Sequence, residues 1–245
     1  MTIDYDAELR LYNEPLHRAW NLRRDDHVLD VGCGTGQTTR DAARTAGSAL
    51  GVDISEISVQ NARRLASADG LTNISFEVGD AQAYDFGPAR FTIATSRFGT
   101  MFFADPVAAF ANIGRALVPG GRLAMIVWQA AERNAWDVAL REAFGPTLDG
   151  PEPFSLADPR AAGAILQTAG FGDVAFTGVE RPVCYGPDLD AAVRFVRGFS
   201  CAQAATPHSL ATLREKLAAH LTDDGVWFDS RAWLVTARRA PRRGY

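Results

Sequence analysis

The octapeptide DVGCGTGQ, residues 30–37, constrains this chain more than any other stretch. It follows the apolar run His27-Val28-Leu29 and opens a segment of helical character, so it reads as the tight turn between a first strand and a first helix. Glycines at such a turn let backbone N–H groups and the positive helix end approach a ligand. A dinucleotide loop needs glycine at its first, third and sixth positions. Here the glycines are Gly32, Gly34 and Gly36, and Gln37 stands where the last one should be. Asp30, just ahead of the loop, would repel a pyrophosphate and attract an ammonium or sulfonium group. The loop therefore points to a cationic ligand.

Short apolar strands alternate with helix-length segments from residue 27 to about 129, the pattern of a doubly wound, mostly parallel α/β sheet. Strands are expected at 27–32, 48–53, 73–80, 90–96 and 122–128. Helices are expected from 36 to 46, from Ser55 to 68 with Ser55 and Ser58 as caps, and from Asp105-Pro106 to the VPGG turn at 118–121. Asp158-Pro159 starts another helix, followed by strands at 173–180 and 230–239, the last expected antiparallel at the sheet edge. The stretches 130–157 and 184–228 are too long for simple connections and are assigned to a helical cap over the carboxyl ends of the strands. The expected layout is one domain: a leading helical segment 1–26, a cofactor core 27–129, cap insertions 130–157 and 184–228, and closing elements in 158–183 and 229–239.

Two further carboxylates sit in register with the first. Asp53 ends the second strand, where it can accept both hydroxyls of a ribose, and Asp80 ends the third, where it can accept from an adenine amino group while the Ala81 N–H serves a ring nitrogen. Three acids at three successive strand ends fit a cationic amino acid joined to adenosine without phosphate, which is S-adenosylmethionine.

The segments VLDVGCGTGQTT (28–39), GVDIS (51–55), VGDAQAYDF (78–86) and ALVPGGRLAMIVW (116–128) together resemble the class I, seven-stranded S-adenosylmethionine-dependent methyltransferases, and within them the small-molecule group similar to ubiquinone and menaquinone enzymes. The resemblance implies a Rossmann-like seven-stranded sheet in which the backbone of Gly32, Cys33, Gly34, Thr35 and Gly36 approaches the methionine part. It implies that Asp53 holds the ribose, that Ile54 lies against the adenine, and that Gly79, Asp80 and Ala81 fix the adenine's polar edge. Ser96, ending strand four, would pass near the amino-acid moiety.

Methyl transfer from a sulfonium needs alignment and exclusion of water; a base helps only where the acceptor must lose a proton. Of four histidines, His27 and His220 read as structural or solvated and His208 falls in the cap, leaving His17, in YNEPLHRAW behind an Asn13 cap, as the candidate base. After strand four, SRFGTMFFADP (96–106) should line the site mouth, with Arg97, Phe98, Met101 and Phe102 as substrate contacts. It lacks the Asn/Asp-Pro-Pro-aromatic motif typical of enzymes that methylate nucleic-acid amines, and it has Met101-Phe102-Phe103 where the quinone-type pattern places a histidine pair. Trp128, Trp136, Phe154, Phe195, Phe199, Trp227 and Phe228 would give the cap an apolar inner face, suited to a hydrophobic or aromatic small molecule.

Composition excludes other classes. A net charge of −4 over 245 residues gives no basic face for nucleic acid, and the arginines of the tail, Arg238, Arg239, Arg242 and Arg243, read as a solvated terminus. No apolar run is long enough to span a membrane, and the acidic start MTIDYDAEL lacks the basic and apolar regions of a signal peptide, so a cytoplasmic monomer or homodimer is expected. Cys33, Cys184 and Cys201 are far apart with no metal-ligand spacing; Cys33 reads as a small filler. The expected function is methyl transfer to oxygen or carbon of a small metabolite. Two alternatives stand beside it: a scaffold that keeps the cofactor structurally while doing non-methyl chemistry or binding, and an NAD-dependent oxidoreductase, which Gln37 and Asp30 disfavour.

Overall fold

Strand β1 (His27–Val31) is buried at four of its five positions, as a strand covered by helices on both faces requires. The computed structural model describes residues 5–145 and 153–241. In chain order its elements are α1 (Tyr5–Glu8), α2 (Asn13–Trp20), β1, α3 (Gln37–Ala43), β2 (Ser48–Asp53), α4 (Glu56–Ala68), β3 (Ile74–Val78), β4 (Phe91–Arg97), α5 (Pro106–Ala116) and β5 (Leu117–Trp128). There follow α6 (Ala135–Phe144), α7 (Pro159–Thr168), β6 (Phe171–Glu180), β7 (Val183–Gly186), α8 (Leu189–Val196), α9 (Pro207–Ala218), β8 (Leu221–Thr222), β9 (Gly225–Phe228) and β10 (Arg231–Arg239).

Local chemistry sets the helix starts. Ser55 Oγ accepts from Ser58 N at 3.2 Å, Asp105 Oδ1 from Ala108 N at 2.9 Å, and Asp158 Oδ1 from Arg160 N at 2.9 Å. Pro106 and Pro159 occupy the first helical position, where no N–H is missed. Each such cap is worth about 1 kcal/mol.

One seven-stranded sheet runs β3-β2-β1-β4-β5-β10-β6, with β1 to β5 parallel and β10 antiparallel to both neighbours. The order reverses between β1 and β4, and the glycine loop leaves β1 at that switch point, where open α/β sheets bind ligands. β10 is not at the edge, as its sequence suggested. It pairs along its length with β5 on one side and β6 on the other, burying Ala232, Val235 and Ala237, while β6 takes the edge with alternating exposure.

The stretches assigned to a cap contain helices α6, α8 and α9 and, with the adjoining Val183, a small antiparallel sheet, β7-β9-β8, that periodicity did not reveal. These strands have only four, two and four residues, too short for alternation to declare itself. The leading segment is packed down: Tyr12, Leu16 and Trp20 are buried, and the Trp20 indole donates to Thr95 Oγ1 at 2.6 Å. Of the arginine tail, Arg238 and Arg239 belong to β10, whereas Arg242 and Arg243 lie outside the described residues, as does 146–152 of the cap. Among the described residues no helix is long and apolar enough to cross a membrane, and no group of three or more His, Cys, Asp or Glu is placed to hold a metal ion.

Candidate active site

All three loop glycines have positive φ: +68° at Gly32, +54° at Gly34 and +79° at Gly36. A Cβ on Gly32 would lie 2.8 Å from Gly99 Cα, and one on Gly36 would lie 2.6 Å from the Phe76 ring, so packing as well as conformation demands glycine there. Gly34 differs: nothing lies within 4 Å of its absent Cβ. Its backbone faces the open space that a ligand would enter. Cys33 is anchored by its N–H on Val52 O at 3.1 Å and turns its thiol into a small cluster with Val59, Ala62, Ala66 and Phe76, the filler its sequence suggested. Thr35 donates from Oγ1 to Asp6 of the leading segment.

The three acids differ in state. Asp30 is fully buried, and its Oδ2 accepts from Thr38 Oγ1 at 2.5 Å and Thr39 Oγ1 at 2.6 Å, while its Oδ1 has no partner. Burial pushes its carboxyl up to about 6, against the opposing pull of the two threonine hydroxyls and Arg97. An unpartnered buried carboxylate oxygen beside the loop fits a ligand that brings positive charge. Asp53 accepts from Gly34 N and from Ser55 N, both at 2.8 Å, one on each oxygen. Each oxygen keeps a lone pair, so the carboxylate can still receive two hydroxyls. Ile54, next to it, is 78% exposed, and Val78 at the tip of β3 is also exposed. Two uncovered apolar side chains beside Asp53 offer a surface for a flat ring.

Gly79 N donates to Asp53 O at 3.0 Å, tying the tips of β2 and β3 together, and a Cβ on Gly79 would strike the Tyr84 ring. Asp80 accepts from Gln82 N and Gln82 Nε2 at 2.9 and 3.0 Å; Gln82 Oε1 in turn accepts from Asp105 N. Ala81 is buried, its carbonyl accepting from Asn112 Nδ2 at 2.9 Å. Gln82 and Asn112 thus hold the third strand tip in place. Neither was singled out from sequence, although Gln82 stands in the quoted VGDAQ.

The stretch after β4 plays two roles that the sequence had merged. Ser96 braces the backbone: fully buried, its hydroxyl donates to Val31 O at 2.7 Å and accepts from Gly99 N at 3.2 Å. Arg97 is not free for a substrate either. Its guanidinium donates to Asn13 Oδ1 at 2.5 Å and Gln37 Oε1 at 2.7 Å and pairs with Asp6, joining the leading segment to the start of α3. Asn13, read as a cap, instead supplies one of those acceptors.

Phe98, by contrast, carries φ +58°, a conformation worth about 1–3 kcal/mol of strain in a non-glycine residue. That backbone turns its ring onto Trp128, centroids 3.9 Å apart and stacked, with Tyr12 edge-on at 5.1 Å. Met101 is buried against Trp128, its sulfur accepting from the Trp128 N–H, whereas Phe102 is half exposed. The rings continue through Trp136, 5.4 Å from Trp128, to Phe154, 5.7 Å further on. Trp227 leaves the inner face: on β9 its neighbours Val226 and Phe228 are buried, and its own ring lies under the Arg10 guanidinium.

His17 is not in this aromatic enclosure. Its ring lies tilted against Trp20, centroids 4.4 Å apart, and its Nε2 lies 3.5 Å from Asp41 Oδ2, between α2 and α3, with burial lowering its pKa. Another buried acid is Glu8, 6% exposed and near enough to Arg97, Tyr5 and Tyr185 to interact with them electrostatically. The signal was present in YDAELRLY, where Tyr5, Glu8 and Tyr12 recur at three and four residues, the spacing of one helical face.

Residues 28–121 match the family model of a methyltransferase domain. The chain is 34% identical over 133 residues to the 2-heptyl-1-hydroxyquinolin-4(1H)-one methyltransferase of Mycobacteroides abscessus, covering 52% of each chain. It is 29% identical over 213 residues to the O-methyltransferase resE of Aspergillus sclerotiorum, covering 82% of this chain and 76% of that one. The matches reach only about half the length of several curated relatives, the quinolone enzyme among them. In fold it is similar to YcgJ of Bacillus subtilis, with a TM-score of 0.66 at 18% identity over 94% of this chain and 99% of that one. Sequence over the glycine loop and topology over the whole sheet thus agree: residues 28–121 match a methyltransferase domain, on a seven-stranded sheet whose fold is similar to that of YcgJ.

Proposed function

We propose that the protein transfers a methyl group from S-adenosylmethionine to oxygen or carbon of a small hydrophobic or aromatic metabolite. The observation that carries this reading is the junction of two surfaces: a loop with an unpartnered buried carboxylate oxygen and open space beside Gly34, and an aromatic wall built from Phe98 just after β4, Trp128 at the end of β5 and Tyr12 just before α2. The name of the Mycobacteroides relative, an alkylated hydroxyquinolone methyltransferase, agrees with an apolar aromatic acceptor.

The cofactor, when bound, supplies an electrophilic methyl on a sulfonium centre. The chain's own residues do the rest. Asp30 gives the loop a negative charge for the cationic amino-acid end; the backbone of residues 32–36 allows close approach; Asp53 accepts the ribose hydroxyls; Ile54 and Val78 flank the adenine; and Asp80 with Ala81 meets its polar edge. Arg97, pinned to Asp6, Asn13 and Gln37, holds the leading segment over the loop and keeps water from it. The acceptor's ring lies against Phe98 and Trp128, whose mutual stacking leaves them little freedom, so it is aligned rather than merely enclosed.

Calorimetry with the cofactor and its demethylated product, followed by transfer of labelled methyl to a panel of hydroxylated aromatics, tests the reading. Binding of both at sub-millimolar concentration with label recovered in an aromatic product is expected. Binding without transfer to any panel member or extract component would instead favour a scaffold that keeps the cofactor for another reaction, since fold alone does not fix chemistry.

A further inference from the structure

Several tyrosine hydroxyls and indole N–H groups of the described residues are partnered within the fold. Tyr12 donates to Arg181 O and lies 2.7 Å from Ser230 Oγ, Trp20 donates to Thr95, and Trp233 donates to Ala157 O at 2.9 Å. Two depart from this: the Tyr185 hydroxyl on β7 and the Trp136 Nε1 on α6, both buried and both without a hydrogen-bond partner. Such orphans cost about 1–3 kcal/mol each and need a reason. Trp136 belongs to the ring series of Phe98 and Trp128, and Tyr185 to a second ring cluster within reach of the charges of Glu8 and of Asp137, the residue after Trp136. Trp136 lies between Trp128 and Phe154, and Tyr185 lies among Phe195 at 5.0 Å, Phe228 at 4.9 Å and Phe199 at 6.1 Å. Glu8 completes the set from the leading segment, buried, while the nearby Arg97 is committed to Asp6, Asn13 and Gln37.

Resting on the methyltransferase reading above, we propose that Glu8, Tyr185 and Trp136 form the acceptor subsite, that its ligand is a hydroxylated aromatic with at least two oxygen functions, and that Glu8 takes the proton of the hydroxyl to be methylated. Tyr185 and Trp136 are donors and call for acceptor oxygens; Glu8, a carboxylate when ionised, calls for an O–H. The proton step balances within the site. The acceptor O–H bond breaks, its proton passes to a Glu8 carboxylate oxygen, and the electron pair stays on the acceptor oxygen, so one negative charge moves from Glu8 to the ligand. Burial pushes the Glu8 carboxyl up to about 8, with Arg97 pulling it back, which matches it to a phenolic or enolic proton far better than an ordinary carboxylate. The groups that face it are Arg97 from β4, Tyr5 on its own turn and Tyr185 from β7; Tyr185 in turn faces Cys201 and Asp137.

The test needs no cofactor. The full chain is titrated with 7-hydroxycoumarin, whose neutral and anionic forms absorb and emit differently, and with 7-methoxycoumarin, which lacks the proton. The wild type should bind the phenol at least about tenfold more tightly than the ether, with a pH dependence centred near that of Glu8. Tyr185→Phe and Trp136→Phe should each weaken the phenol about tenfold. Glu8→Gln should keep the fold, remove the pH dependence and abolish formation of the bound anion. Equal affinity for phenol and ether, no binding of the phenol at millimolar concentration, or unaltered spectra and pH dependence in Glu8→Gln would each overturn the proposal. Failure of the cofactor to bind in the calorimetry above would overturn the methyltransferase reading instead, so the two fail separately.

Discussion

Asp30→Asn separates what the glycine loop costs the fold from what it gives the ligand. Burial raises the Asp30 carboxyl from its ordinary 3.8 to about 6. The folded state therefore holds this proton more tightly than the unfolded chain, and stability falls as pH rises from about 4 through 6, with the whole penalty in place above that window. From those two values the penalty is under about 1 kcal/mol at pH 4 and about 3 kcal/mol at pH 8. An amide keeps an acceptor for Thr38 and Thr39 but leaves its own N–H groups unpartnered, a cost independent of pH that cancels when the two conditions are compared. Relative to wild type, the variant should gain about 2 kcal/mol between pH 4 and pH 8, which for a chain of this size is roughly 4–8 °C in Tm. Thermal unfolding of the cofactor-free protein across that range measures it. Affinity for S-adenosylmethionine should move the opposite way, falling more than about tenfold, since the negative charge is gone. A stability difference that stays flat from pH 4 to pH 8 would refute the claim that Asp30 is a buried charge waiting for a counter-ion.

Asp53→Ala removes the acceptor for Gly34 N and Ser55 N along with the expected ribose partner, and calorimetry should record a loss of cofactor affinity of more than about tenfold; unchanged affinity would take the ribose away from this residue. Gly99→Ala places a Cβ 2.8 Å from Val31 O and 2.9 Å from Gly32 Cα, both backbone, so a destabilisation of about 1–3 kcal/mol by chemical denaturation is expected, with cofactor binding weakened as the loop shifts. His17→Gln should change kcat by less than about threefold and leave its pH profile in place, because the ring packs on Trp20 and Asp41 and not on the aromatic wall; a loss of a hundredfold would return the base to His17.

The acidic strand tips were legible because everything that defines them is local. A strand ends, a glycine turn or a helix cap begins, and the side chain at the boundary has one place to go, as Asp30, Asp53 and Asp80 do. Arg97 was misread for the opposite reason: its position at the end of β4 is local, but its engagement depends on Asp6, which lies 91 positions away. The turn of the Phe98 ring onto Trp128 could not be foreseen, since the positive φ that aims it cannot be read from an Arg-Phe-Gly triplet. Glu8, Trp136 and Tyr185 were beyond reach as a set, being three unremarkable residues from three elements that only packing brings together. The place of β10 was missed because periodicity identifies a strand and says nothing of which strands lie beside it.

That place has a consequence for how the molecule is made. β6 has no neighbour in the seven-stranded sheet except β10, so although it leaves the ribosome some 50 residues earlier it has nothing to pair with until the chain has been synthesised through residue 239. During that interval β5 also presents an unpaired edge, a template for the wrong partner. Removing residues 231–239 would therefore cost the sheet two strands for the length of one, and a chaperone that shields β5 and β6 would act on the slowest and most exposed stage of folding.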